Sequence, residues 1–139
     1  MTPELIALGR RAVACPRWKW RPGMSDTDGR RYQWRHENRQ VEACSESSEG
    51  GINWEEPIGA IPDLSDDATT GAVLGLVRQA WCDPTAHTRW SQSAMRWEML
   101  RSDAEWPPSP KWVRILGAGP TEAEALIAAL GAAPPKETT

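Results

Sequence analysis

Apolar side chains recur at helical spacing in three stretches of the chain and alternate with polar ones in the stretches between. The first helical stretch opens at Thr2 as N-cap with Pro3 behind it, carries Leu5, Ile6, Leu8, Ala12 and Val13, and must end before Pro16. In the second, Pro62 to Asp67 supplies a turn, an N-cap and acids at the positive helix end, and Val73, Leu74, Leu76, Val77, Ala80 and Trp81 follow at helical spacing. Gly71 and Gly75 leave one face of that helix as bare backbone, open to a close neighbour. The third begins with the capping box Thr121-Glu122-Ala123-Glu124, runs through Leu126, Ile127 and Leu130, and stops at Gly131 before Pro134-Pro135. The pattern predicts helices near residues 3–14, 66–81 and 121–131.

The alternating segments read as strands. In Arg17-Trp18-Lys19-Trp20-Arg21 the aromatics share one face and the cations the other, and Arg31-Tyr32-Gln33-Trp34-Arg35 repeats the arrangement. Joined through Pro22 to Gly29, the two predict a hairpin whose face of Trp18, Trp20, Tyr32 and Trp34 packs as core against the first helix, leaving the arginines in solvent. Met95, Trp97 and Met99 alternate with Arg96 and Glu98, and a short strand is expected at 112–116 after the Pro107-Pro108-Ser109-Pro110 loop. Strands that come in adjacent pairs predict an α+β fold, a small antiparallel sheet with about three helices in the order helix, hairpin, helix, strands, helix. One domain over residues 1–133 is expected, with a frayed tail at 134–139.

Composition agrees with a folded chain. Of 139 residues, 40% are hydrophobic and 25% charged, as in ordinary globular domains. No apolar run approaches the roughly 20 residues of a bilayer span, and Thr2-Pro3-Glu4 lacks the features of a signal peptide, so a cytosolic protein without membrane partners is expected. Three widely spaced cysteines, Cys15, Cys44 and Cys82, suit neither a disulfide framework nor a CxxC pair and are expected as buried thiols. Thirteen of the sixteen basic residues are Arg, and there are nine Trp and no Phe. GC-rich codons favour Arg and Trp over Lys and Phe, so a contribution from genome composition, rather than function, is expected.

Charge is unevenly placed. Residues 10–39 hold nine basic and three acidic side chains, a local net of +6, whereas residues 40–76 hold eight acids and no cation.

Three segments together carry a resemblance: Trp18-Lys19-Trp20-Arg21-Pro22-Gly23-Met24, Pro62-Asp63-Leu64 through Ala80-Trp81, and Gly119-Pro120-Thr121-Glu122-Ala123-Glu124-Ala125-Leu126. In these the chain resembles a group of uncharacterised phage and prophage proteins, over nearly its whole length; Pro120 before the Thr departs from the group's pattern. The resemblance implies origin in a mobile element and no particular chemistry.

The candidate chemistry is sparse. Only His36 and His87 could serve as the base of a hydrolytic triad, and no G-x-S-x-G elbow occurs. Cys82, Asp83 and His87 could form a Cys/His pair or a metal site, but zinc sites want four ligands with a closely spaced pair, so a helix-end Cys and a loop His are the expectation. Gly117 and Gly119 precede a helix without the Lys-Ser/Thr of a phosphate loop and read as a strand-to-helix turn. No catalytic residue, metal or cofactor is therefore expected.

Two surfaces remain as candidate binding sites. Arg17, Lys19, Arg21 and Arg35 with interleaved aromatics could track phosphates and stack on bases, but the net charge of −3 and the demand of a sheet for a buried face weigh against nucleic acid. Glu46, Glu49, Glu55 and Glu56 lie in an acidic stretch that reads either as a mimic of nucleic-acid phosphates or as a solvated loop, with Asp66 and Asp67 serving the helix N-terminus. The expectation is a non-enzymatic accessory protein that binds a host protein or complex, such as a nucleic-acid-binding effector, as an anti-CRISPR-like inhibitor of bacterial defence. A nucleic-acid-binding regulator using the basic hairpin is the alternative.

Overall fold

The computed structural model describes residues 2–101 and 115–134. It is an α+β protein: α1 (Pro3–Val13), β1 (Arg31–Arg35), β2 (Gln40–Glu46), β3 (Ile52–Glu55), α2 (Asp67–Ala80), β4 (His87–Ser91), β5 (Arg96–Leu100), β6 (Ile115–Gly119) and α3 (Glu122–Ala132). The strands form two three-stranded antiparallel meanders, β1-β2-β3 and β4-β5-β6. The chain divides into two compact units, Met1–Ala14 with Lys19–Ala72, and Cys15–Trp18 with Val73–Thr139. The Pro107–Pro110 loop, residues 112–114 of the expected last strand, and residues 135–139 of the tail lie outside the described residues.

All three helices form where their caps stand. Thr2 accepts from the Leu5 N–H and Thr121 from the Glu124 N–H, each satisfying an N-terminal donor. At α2 the cap is Asp66, whose Oδ2 accepts from the Thr69 N–H at 3.0 Å. Its far end closes as a Schellman motif, with Asp83 N–H donating to the Arg78 carbonyl and Cys82 N–H to that of Gln79, while Cys82 takes the left-handed φ of 53° usually given to glycine.

In the first unit the expected hairpin of residues 17–21 with 31–35 does not form. Residues 17–21 carry no strand, and β1 pairs with β2 instead, Arg31 opposite Cys44 and Arg35 opposite Gln40. A four-residue turn closes this hairpin with Arg39 at φ 55°. The aromatic alternation there belongs to a segment without strand pairing: Pro16 and Pro22 bracket it, and the Arg21 N–H is spent on the Met24 sulfur at 3.3 Å. Trp20 still packs on Tyr32, rings stacked at 4.2 Å, and Tyr32 is fully buried, but Trp34 is 44% exposed rather than core. The outer edge of β1 is covered by its own upstream loop, since Gly23 N–H donates to the Tyr32 carbonyl and Tyr32 N–H to that of Met24. In α1, a Cβ at Gly9 would come within 2.6 Å of the Ile61 side chain, so the helix lies directly on that segment.

The second unit is built on α3. A Cβ at Gly117 of β6 would stand 2.3 Å from the Ala129 nitrogen and 2.6 Å from the Ala125 carbonyl oxygen. Gly117 and Gly119 are thus not a turn but bare strand on which a helix rich in alanine settles, with Ala125, Leu126, Ile127, Ala129 and Leu130 buried. Trp81 anchors the same helix through its indole N–H to the Ala129 carbonyl at 2.9 Å. Gly71 of α2, by contrast, has nothing within 4 Å of a would-be Cβ among the described residues. On β5 the expected alternation breaks: Met95 is in the turn at φ 53° and 69% exposed, while Glu98 is buried beside Met99 and Leu100.

Candidate interaction surfaces

The densest polar cluster surrounds Asp26 in the first unit. Its Oδ1 accepts from the backbone N–H groups of Asp28 and Arg30, and its Oδ2 from Arg30 Nε at 2.9 Å and the Tyr32 hydroxyl at 2.8 Å. Arg30 continues outward to Glu55. Burial and then the bond to Asp26 push the Tyr32 phenol above its ordinary pKa. A second chain runs beside it: Ser25 N–H donates to Thr69 Oγ1, Thr69 donates to Asp66, and Arg31 bridges Asp66 to the Gly23 carbonyl. Burial works to raise the Asp66 pKa, but the Thr69 bonds and the Arg31 charge outweigh it and hold it below the ordinary value. Every oxygen of Asp26 is engaged, so the carboxylate fastens the 25–32 loop to the sheet.

The four basic candidates are divided between the two units. Arg17 is turned onto the Pro134 carbonyl, Nη2 to O 2.7 Å, within the second unit. Lys19 is exposed and Arg21 half-buried in the first unit. Arg35 donates to Glu42, a carboxylate 2% exposed on the central strand, and lies 5.6 Å over the ring of Trp54. Asn38 completes the Glu42 site. The second sheet has a counterpart, with buried Glu98 accepting from Arg96 at 3.2 Å and ion-paired with Arg89 at 3.8 Å.

The four acidic candidates do share an element. Glu46 ends β2 opposite Ile52, Glu49 is in the turn that joins β2 to β3, Glu55 ends β3 and Glu56 follows it. The turn is fixed by the Ser47 N–H to the Gly51 carbonyl at 2.7 Å and by Gly50 at φ 87°. Glu55 is paired with Arg30, whereas Glu46, Glu49 and Glu56 are exposed and no cation among the described residues pairs with them. Beside them, Ile52 and Ile58 are 59% and 82% exposed. The acidic stretch, read from the sequence either as a phosphate mimic or as a solvated loop, runs through a β-hairpin over residues 40–55. Its signal was present, since Glu49-Gly50-Gly51 is a turn between Val41-Glu42-Ala43-Cys44 and Ile52-Asn53-Trp54, and only the acid and serine content masked it.

Cys82, Asp83 and His87 do not form a joint site. Asp83 is buried with Oδ1 accepting from the backbone and hydroxyl of Thr85, and His87 Nδ1 lies 3.3 Å from the Thr85 carbonyl. Cys82 is exposed and Cys15 and Cys44 are half-buried, against the expectation of three buried thiols. Among the described residues no three His, Cys, Asp or Glu gather as a metal site, and no helix is long and apolar enough to cross a membrane. The chain matches no family model, no curated protein and no solved structure.

Proposed function

We propose that this chain is a non-enzymatic binding protein of phage or prophage origin, acting in the host cytoplasm, that inhibits a bacterial defence effector in the anti-CRISPR manner. Its contact surface is the β2–β3 hairpin, laid on a basic, nucleic-acid-contacting face of the partner. The observation that supports this reading is the set of unpaired glutamates, Glu46, Glu49 and Glu56, on one hairpin with Ile52 and Ile58 exposed beside them. Charge of one sign steers a partner of the other and selects against wrong ones, and exposed apolar side chains supply the burial that charge alone does not. The basic reading has less behind it, because Arg17, Arg31 and Arg35 are committed to partners within the chain.

The test is affinity capture from bacterial lysate with the wild-type chain and with an E46Q/E49Q/E56Q variant. A basic protein held by the wild type, lost by the variant and displaced by duplex DNA supports the proposal. Retention of the chain itself on duplex DNA at moderate salt, unchanged by the variant, overturns it in favour of nucleic-acid binding.

A further inference from the structure

We infer that the outer edge of β3 takes up an extended, Lys- or Arg-bearing segment of the partner as a fourth strand of the first sheet; this rests on the reading of the acidic hairpin as the contact surface.

The two edges of that sheet differ. Along β1 the outward backbone groups are used by the upstream loop, through the Gly23–Tyr32 and Tyr32–Met24 bonds and the Ser25–Arg31 bridge. Along β3 the register with β2, carried on from the Ser47–Gly51 bond, turns the backbone of Asn53 and Glu55 inward and that of Ile52 and Trp54 outward. No described residue outside β2 bonds to the backbone of Ile52–Glu55. An edge left open in this way is a template for strand addition.

Charge selects the occupant. Glu46, Glu49 and Glu56 give the β2–β3 hairpin three unpaired negative charges, so a second copy of this edge brings like charge towards like charge, while a cationic strand meets complementary charge. The edge strand β4 of the second sheet offers no such selection, because its Arg89 is already matched by Glu98. Ile52 and Ile58 provide apolar surface for the alternate side chains of the incoming strand.

The experiment compares two peptides of equal charge by fluorescence anisotropy with the full chain: an alternating Lys-Val octapeptide and the same peptide N-methylated at every second residue. Strand addition predicts at least tenfold weaker binding of the methylated peptide. It further predicts that Ile52→Pro, which removes an outward N–H and leaves every glutamate in place, abolishes that difference. The peptide comparison stands without the variant if Ile52→Pro lowers stability. Equal binding of the two peptides, both weakened by E46Q/E49Q/E56Q, overturns strand addition and leaves the acidic surface intact. No binding of either peptide, or binding indifferent to the glutamates, overturns both.

Discussion

The Tyr32 hydroxyl donates a 2.8 Å hydrogen bond to Oδ2 of Asp26, a carboxylate only 1% exposed. This bond ties β1 to the loop that covers its edge, and its loss leaves a buried charge short of a donor. Tyr32→Phe is expected to cost about 1.5–3 kcal/mol in urea unfolding, the range for a bond to a charged group. Because the folded-state pKa of Tyr32 lies above its ordinary 10.0, the phenol's contribution is complete below that pH and declines as pH rises beyond it. The gap between wild type and Tyr32→Phe should therefore shrink in alkaline unfolding curves.

Asp66 acts in the opposite pH range. Its folded pKa lies below the ordinary 3.8, so its contribution is complete above that value and lost as pH falls through the folded one. Asp66→Ala is expected to cost about 1 kcal/mol at neutral pH, as for other N-caps. The difference from wild type should close in acid, and urea titrations at several pH values would show it.

Arg35 and Lys19 look alike as surface cations in the sequence and are not equivalent in the fold. Arg35→Ala strips a buried Glu42 of its cation and is expected to destabilise by about 2–3 kcal/mol, while Lys19→Ala should stay within about 0.5 kcal/mol. Thermal melts of the two variants check the contrast.

These contrasts mark what the sequence makes legible. The helices are readable because capping is local: Thr2, Asp66 and Thr121 announce N-termini without reference to anything distant. Pairing is not local. Residues 17–21 alternate as well as residues 31–35 do, but Pro16 and Pro22 bracket the first segment while β2 pairs with the second. Nor does alternation reveal Glu42 and Glu98, whose burial depends on arginines brought up from a neighbouring strand or two residues along. Among the candidate sites, the acids were legible as a charge run, and their gathering on one hairpin was not.

Cys82 occupies the left-handed position of the α2 Schellman motif and is exposed. Cys82→Gly should stabilise the chain by about 1 kcal/mol, since only glycine adopts that φ without a Cβ penalty. In the wild type, Cys82 should be the first thiol modified by an aromatic disulfide reagent, ahead of the half-buried Cys15 and Cys44, as peptide mass spectrometry would report.

Gly117 has no room for a side chain against α3. Gly117→Ala is expected to cost about 3 kcal/mol or more, because the obstructing atoms at 2.3 and 2.6 Å are backbone and cannot rotate aside. Gly71→Ala in α2, where a Cβ meets nothing, should instead stabilise by up to about 1 kcal/mol. Chemical denaturation of the pair tests both signs.

Photo-crosslinking can place the acidic hairpin at the contact surface or remove it from there. A photoreactive residue placed at Glu49 in the β2–β3 turn, and separately at exposed Lys19, is irradiated in bacterial lysate. A discrete adduct with a basic protein is expected from position 49 and none from position 19. An adduct from position 19 alone, or with nucleic acid, would contradict it.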